Sequence, residues 1–411
     1  MPRPLRIVFF GNFHPQTTRI STTSIGMVML LASLPEVERI EVACPVGSRL
    51  PEGTGWEKVV LRPMWRHEDP LSVVRSLFVL LREARSTDVF LFNTYVTAFG
   101  RSKSANALGL MLPSLLAWLS LTPVVVYMHN FVETQQVELL GYQPSRRERW
   151  AAHLLEGLLL RRTTVVVPLE SQRRVLLKEF GTAPRQLIIP HLEGIHSLAF
   201  GDEGPDLPPA VDTSGKVHVL LFGLWGPQKD LEGALDTLQR VRNDFHLPLS
   251  VIVAGPPHPT FPKYAEVYRA IRRQFESPEC RFLGEVPERD LSRLIRQCTA
   301  LVLPYHTAGG YSAAMNVGKA HGVEMIAWDI PEMREVARAL DVPVAFVPAR
   351  DAPALARALQ EVVARPRGPG RDALVRSSWE GAMTGIRSLV QILCDAGQAP
   401  IEGDQAGVRA G

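Results

Sequence analysis

The stretch Pro304-Tyr-His-Thr-Ala-Gly-Gly-Tyr-Ser-Ala-Ala-Met-Asn-Val-Gly-Lys-Ala-His-Gly322 lies between two apolar runs, Ala300–Leu303 and Val323–Trp328. Its pattern predicts strand, glycine loop, short helix, strand. A loop of this kind sets bare backbone N–H groups at a helix N-terminus, where the amides and the helix dipole both favour an anion such as phosphate. An ordinary βα turn has the same outline. The anion reading gains weight from a second glycine–lysine loop upstream, Phe222-Gly-Leu-Trp-Gly-Pro-Gln-Lys-Asp-Leu-Glu-Gly233, which also follows an apolar run and opens a helical pattern.

Outward from these loops, short apolar runs alternate with helical patterns along the chain. In the first half the expected strands are Arg6–Phe10, Ile40–Cys44, Lys58–Leu61, Val89–Asn93, Val124–His129, Thr164–Pro168 and Leu187–Ile189. In the second half they are Val217–Phe222, Leu249–Ala254, Arg281–Leu283, Ala300–Leu303, Glu324–Ala327 and Val344–Val347. Most are continuous apolar runs rather than alternating ones, as in parallel sheets covered on both faces. Strands alternating with helices such as Ser24–Leu34, Pro70–Glu83 and Leu231–Asn243 predict an open α/β sheet in each half. The run 201–215, rich in Gly, Pro and Asp, reads as the linker between them. The expected organisation is a domain over 1–200, the linker, a second domain over 216–376, a helix over 377–396 and a frayed tail over 397–411.

Composition agrees. A chain of 411 residues is long for one core, and 46% hydrophobic with 21% charged residues is ordinary for globular domains. A net charge of +3 gives no reason to expect nucleic acid as a partner. The four cysteines, Cys44, Cys280, Cys298 and Cys394, are scattered without a CxxC pair, so neither a zinc site nor a disulfide framework is expected, and reduced thiols fit a cytoplasmic protein. The N-terminal apolar run Ile7–Phe10 is too short for a signal peptide and reads as a first strand. Ala107–Met128 carries no charge, but Pro113, Ser114, Ser120, Thr122 and Pro123 interrupt it. A helix through Leu119 and a new strand explain it without a membrane span. Arg146-Arg147-Glu148-Arg149-Trp150, leading to Arg161-Arg162, allows a contact with an anionic membrane surface or a plain solvated helix.

Ligands of open α/β sheets bind beyond the carboxyl ends of the strands. The candidates are therefore loop residues. Lys229 can reach a phosphate as a point charge, or stand solvated. Gly309 and Gly310 allow close backbone approach, and Ser312 is a natural N-cap. Asn316, four residues on, shares its helix face and can take a ribose hydroxyl or sit at an interface. His306 precedes the glycines. In the first domain His129 ends a strand, Gly11-Asn12 ends another, Asn93-Thr94-Tyr95 a third, and the hydroxyl-rich run Thr17–Ser24 suits either a hydroxylated ligand or N-capping.

These marks, in this order, resemble the GT-B glycosyltransferases, in particular the retaining glycosyltransferase family 4 group (glycosyl transferases group 1). Gly223 through Lys229 is similar to the family's glycine–lysine loop. Phe282-Leu-Gly-Glu-Val-Pro-Glu288 resembles its base-recognition strand and loop, and Ala300–Tyr305 its strand before the donor loop. Ser378-Trp379-Glu380 resembles the opening of a C-terminal helix that crosses back to the first domain. Gly11, His129 and Ile188-Ile-Pro190 match more loosely. Three of the family's charged donor contacts are missing. Its two glutamates fall on Gly309 and Val317, and its upstream arginine on Leu224.

The resemblance implies two Rossmann-like domains facing across a cleft and glycosyl transfer from a nucleotide-diphosphate sugar to a glycan or lipid-linked acceptor. His129 and Lys229 take the catalytic roles. Gly223, Gly284, Val286, Gly309, Gly310, Tyr311, Ser312 and Asn316 hold the donor, and Gly11, Asn12, Thr22, Thr23 and Asn93 line the acceptor side. No Asp-x-Asp occurs, so neither a metal nor a cofactor is expected. A non-catalytic protein that binds a nucleotide sugar or a partner enzyme, and a nucleotide-sugar epimerase, are the alternatives. The epimerase needs an acidic group near the sugar, which the donor loop does not offer.

Overall fold

The structure, a computed structural model, describes residues 3–13, 19–51, 55–100, 102–133, 144–189, 215–259, 261–308, 312–365 and 370–398. The chain divides into two compact units. The first contains a seven-stranded sheet in the order β3-β2-β1-β4-β5-β6-β7, all neighbours parallel. Its strands are β1 (Leu5–Gly11), β2 (Val37–Pro45), β3 (Val59–Trp65), β4 (Val89–Thr94), β5 (Val124–Met128), β6 (Thr164–Val167) and β7 (Arg185–Gln186). The second contains a six-stranded parallel sheet in the order β10-β9-β8-β11-β12-β13. These strands are β8 (Val217–Phe222), β9 (Leu249–Ala254), β10 (Cys280–Gly284), β11 (Ala300–Leu303), β12 (Glu324–Trp328) and β13 (Ala345–Val347).

Helices link the strands, as parallel connections require. In the first unit α2 (Pro70–Glu83), α3 (Lys103–Leu119) and α4 (Arg146–Arg162) share one core with one face of the sheet. Val73, Leu77, Leu112, Leu116 and Leu159 pack there against Val8, Phe10, Phe92, Val124 and Val126. Phe10 stacks on Trp65 and Phe92, with ring centroids 4.2 and 4.8 Å apart, which ties β1, β3 and β4 together near their carboxyl ends. In the second unit α6 (Leu231–Asp244) and α11 (Ala352–Ala364) pack on β8 and β12 through Leu235, Leu238, Leu355 and Leu359.

The uncharged stretch beginning at Ala107 is a helix to Leu119 followed by β5, as the proline and serine pattern predicts. No described helix is long and apolar enough to cross a membrane. Several expected boundaries differ: β2 begins earlier, at Val37, and β3 runs on past Leu61 to Trp65. The edge strand β7 is Arg185–Gln186, not Leu187–Ile189, because the ladder to Val166 and Val167 is made by backbone and asks nothing of the side chains. The polar run expected as a loop is helical from Arg19, where α1 (Arg19–Ser33) begins, with Thr23 and Ser24 buried. The last helix, α12, is longer than expected, Gly370–Gln398. Its residues up to Met383 group with the second unit, and those from Thr384 with the first. Most of the expected linker, 201–214, and the tail from 399 lie outside the described residues.

Each sheet reverses its strand order at one place. In the first unit this is between β1 and β4, and in the second between β8 and β11. Such switch points leave a crevice at the carboxyl edge where two neighbouring loops turn apart. In the second unit the edge is shaped by Gly223, Gly255 and Gly284, which follow or end three adjacent strands with φ of 122°, 106° and 67°. The Gly223 amide donates to Ala254 O at 3.1 Å, and the Gly255 amide to Gly284 O at 2.5 Å. A Cβ on residue 255 would overlap the Gly223 carbonyl. Replacing Gly255 with Ala therefore combines a disfavoured φ with a backbone clash. It should cost about 3 kcal/mol in urea unfolding, and wild-type stability of that variant would contradict the packing described.

Candidate functional site

In the second unit the loops after β8 and β11 are zipped together. The Asp230 amide donates to Pro304 O at 2.7 Å and the His306 amide to Gln228 O at 3.0 Å, with Lys229 bridged to Tyr305. Lys229 is buried rather than solvated. Its Nζ donates to Phe222 O at 3.3 Å and lies 4.9 and 5.1 Å from the ring centroids of Trp225 and Tyr305. Trp225 is itself fixed, its indole N–H donating to Ala254 O at 3.2 Å. The aromatic faces stabilise the ammonium where water is excluded.

Next to Lys229 stands a group that the sequence reading missed. Asp230 caps α6 by accepting from the Gly233 amide at 3.2 Å, and it holds Arg350 through two bonds of 2.8 Å. His306 Nε2 approaches the same carboxylate at 3.5 Å. Burial pushes the Asp230 carboxyl up, but the Arg350 hydrogen bonds, His306 and the Gly233 amide together bring it below its ordinary value. Asp230 is thus a fixed anion beside the lysine. The Asp-Leu-Glu-Gly cap pattern was a signal for it; Arg350, 120 residues away, gave none.

Ser312 and Asn316 are brought together as the spacing predicts. Ser312 caps α9 (Ala313–Ala320) by accepting from the Met315 amide at 3.4 Å. The Asn316 side-chain amide donates to Ser312 O at 2.9 Å, a bond back along its own helix. All of α9 is buried, including Val317. Gly309, Gly310 and Tyr311 lie outside the described residues. Val286 is half-buried two residues past Gly284.

In the first unit the switch point gathers Gly11, Asn12, Ser24, Asn93 and His129. Gly11 pairs with Asn93 across β1 and β4. His129 Nε2 lies 2.7 Å from Asn93 Oδ1, and Asn93 Nδ2 donates to Ser24 Oγ at 2.9 Å. The Asn93 oxygen thus accepts, and the imidazole carries its proton on Nε2. Burial lowers the His129 pKa to about 4, so the ring is neutral at pH 7. Asn12 Nδ2 donates to Ala98 O at 3.1 Å, while its buried Oδ1 has no partner among the described residues. Thr23 is buried on α1, and the Thr22 side chain lies outside the described residues. Ser24 was not among the expected site residues.

The chain after His129 is pinned from behind. Gln172 Nε2 donates to His129 O at 3.0 Å, and the Val132 amide donates to Glu156 Oε1 at 2.5 Å. Glu156 is fully buried on α4 with Oε2 unpartnered among the described residues, and burial pushes its carboxyl up to about 8. In the sequence it looks like any helix-surface glutamate. Among the described residues no group of three or more His, Cys, Asp or Glu stands close enough to hold a metal ion.

Residues 216–365 match the family model of glycosyl transferases group 1. No curated protein matches the chain by sequence. Among solved structures, Anabaena HepE in complex with UDP and glucose superposes with a TM-score of 0.62 at 11% identity, covering 95% of this chain and 99% of that one. The α,α-trehalose-phosphate synthase (UDP-forming) of Burkholderia vietnamiensis gives 0.64 at 12%, covering 96% and 98%. Sucrose-phosphate synthase of Thermosynechococcus elongatus gives 0.58 at 13%, covering 96% and 98%. The fold is GT-B. The match to the glycosyl transferases group 1 model falls within its second unit.

The two buried titrating groups give opposite pH slopes. Glu156 has a folded pKa near 8 against an ordinary 4.5, so its contribution to stability is full below pH 4.5 and is lost as pH rises through 8. His129, near 4 against 6.5, contributes fully above 6.5 and loses its contribution as pH falls through 4. Glu156→Gln keeps the acceptor for Val132 and removes the first slope. Urea unfolding should find the variant more stable than wild type by about 2–4 kcal/mol near pH 8 and roughly equal near pH 4. Parallel pH profiles would show that Glu156 ionises normally.

Proposed function

We propose that the protein transfers a glycosyl group from a nucleotide-diphosphate sugar to a glycan or lipid-linked acceptor, with retention of configuration and without a metal or other cofactor. The observation that carries this is the buried Lys229, held at a sheet switch point by a loop zipped to the one that leads to the Ser312 cap. Solved proteins of the same fold are described with UDP, with UDP and glucose, and with UDP-glucose, which supports a nucleotide-sugar donor.

As the bond from the anomeric carbon to the diphosphate breaks, its electron pair goes to the departing diphosphate, the acceptor hydroxyl oxygen bonds the anomeric carbon, and the hydroxyl proton passes to a diphosphate oxygen. The amides at the start of α9 and the Lys229 ammonium meet that charge without reorganising. Gly223, Gly284 and Val286 border the place for the base. Asn316 and Ser312 compensate for carboxylates absent at Gly309 and Val317, so ribose and sugar hydroxyls meet neutral groups in place of charged ones, and donor binding is modest. His129, neutral and oriented by Asn93, serves the sugar as a hydrogen-bonding group, not as a proton donor of ordinary imidazolium acidity. Gly11, Asn12, Thr22, Thr23 and Asn93 remain the acceptor-side assignment. Retention is what the family resemblance implies. The reading places the protein in the cytoplasm, at or near the membrane surface. A non-catalytic binding role is favoured by one observation, the buried apolar Val317 in a glutamate's place.

Lys229→Ala should weaken nucleoside-diphosphate binding by about 1.5–3 kcal/mol in calorimetry with UDP, GDP and ADP. Unchanged affinity for every nucleotide that binds wild type would remove Lys229 from the site. Release of nucleoside diphosphate from a panel of nucleotide sugars, with acceptor extract added, should persist in excess EDTA. Activity that is lost in chelator and returns with Mg²⁺ or Mn²⁺ would show that metal ligands are present and unrecognised.

A further inference from the structure

Helices α2, α3 and α4 form a layer on one face of the first sheet, with α3 packed between the other two. Their inner faces are core. Their outer faces are not polar, as those of a solvated layer would be. On α2, Leu71 is 67% and Phe78 60% exposed, with Val74 beside them. Trp118 at the end of α3 is 68% exposed, and Leu121 in the following turn 83%. On α4, Trp150 and Leu154, four residues apart, are 69% and 54% exposed. Between these rows α3 presents half-buried Met111 and Leu115, in a stretch without a charged residue from Ser104 to Leu119. Seven large apolar side chains on adjoining elements are more than the scattered surface hydrophobics of a soluble domain.

The charges around this face have one sign. The three helices carry eight arginines and lysines against three glutamates, while the whole chain is only +3. Of the glutamates, Glu148 is paired with Lys103 and Glu156 is buried. Arg75 and Arg82 lie exposed on α2, and Arg146, Arg147, Arg149, Arg161 and Arg162 at the two ends of α4. Long basic side chains can lay their stems on an apolar surface and keep their charge in the headgroup layer. A second copy of the chain suits this face poorly, because a two-fold contact would bring the same basic rim against itself.

We propose that the outer face of α2, α3 and α4 docks on an anionic lipid bilayer, with Phe78, Trp118 and Trp150 entering the interface and the flanking arginines meeting the headgroups. This proposal deepens the membrane-surface part of that reading by naming the face that makes the contact, and it does not rest on the transferase assignment, since docking needs no donor. It would bring the enzyme to lipid-linked acceptors at the surface where they reside.

The test is co-sedimentation of the full chain with vesicles, one set containing phosphatidylglycerol and one of phosphatidylcholine alone. Wild type should pellet with the anionic vesicles, release in high salt, and show a blue shift of tryptophan fluorescence on binding. Phe78→Ser, Trp118→Ser and Trp150→Ser combined should weaken pelleting by about tenfold or more. Arg146→Gln, Arg147→Gln and Arg149→Gln combined should weaken it by a similar factor at low salt. These side chains are exposed, so both variants should keep the wild-type melting temperature. Failure of wild type to pellet with anionic vesicles, or equal pelleting by either variant, would overturn the proposal. So would a wild-type dimer in light scattering that the first variant makes monomeric, which would assign the face to a second copy.

Discussion

The carboxyl edge of the second unit's sheet depends on position 255 being glycine. With no Cβ there, the loops leaving β8 and β9 approach backbone to backbone, Gly223 donates to Ala254 O, and Trp225 tucks its indole N–H under the same carbonyl. That fixes one wall for the Lys229 ammonium, and the zipper to Tyr305 and His306 supplies the other. The lysine is therefore placed by main-chain geometry. Asp230, paired with Arg350 through two hydrogen bonds, stands beside it in the same loop.

This arrangement bears on the missing family charges. On the proposed reading, with Leu224 and Val317 aligned where the resemblance implies an arginine and a glutamate, the site has less charge of both signs. What remains is a lysine, a helix N-terminus and hydrogen-bonding side chains such as Asn316. Preorganised amides of this kind are effective in a dry site and feeble in water. The first unit follows a similar economy: His129, Asn93 and Ser24 form a neutral hydrogen-bonded chain with the imidazole kept unprotonated by burial.

Much of the fold was legible because parallel strands buried on both faces read as unbroken apolar runs, such as Val217–Phe222 and Ala300–Leu303. β7 was misplaced because an edge strand pairs through backbone alone. The start of α1 was missed because Thr and Ser have weak helix propensity, and only the burial of Thr23 and Ser24 overrides it. In the site, Ser312 and Asn316 followed from helix spacing. Asp230 with Arg350, and Glu156 beneath the chain after His129, depend on contacts between distant segments that no local pattern carries. The exposed Trp118 and Trp150 show the same limit: a tryptophan in a helical pattern reads as core until the layer around it is seen.

Hydrogen exchange in the presence of nucleoside diphosphates tests the central claim most directly, because it reads backbone amides, the groups held responsible for binding. Adding UDP, GDP or ADP in turn should slow exchange in two segments, 223–230 and 309–316, for at least one nucleotide, with little change elsewhere in the second unit. Protection by no nucleotide, or protection confined to segments away from the β8 and β11 loops, would contradict the account.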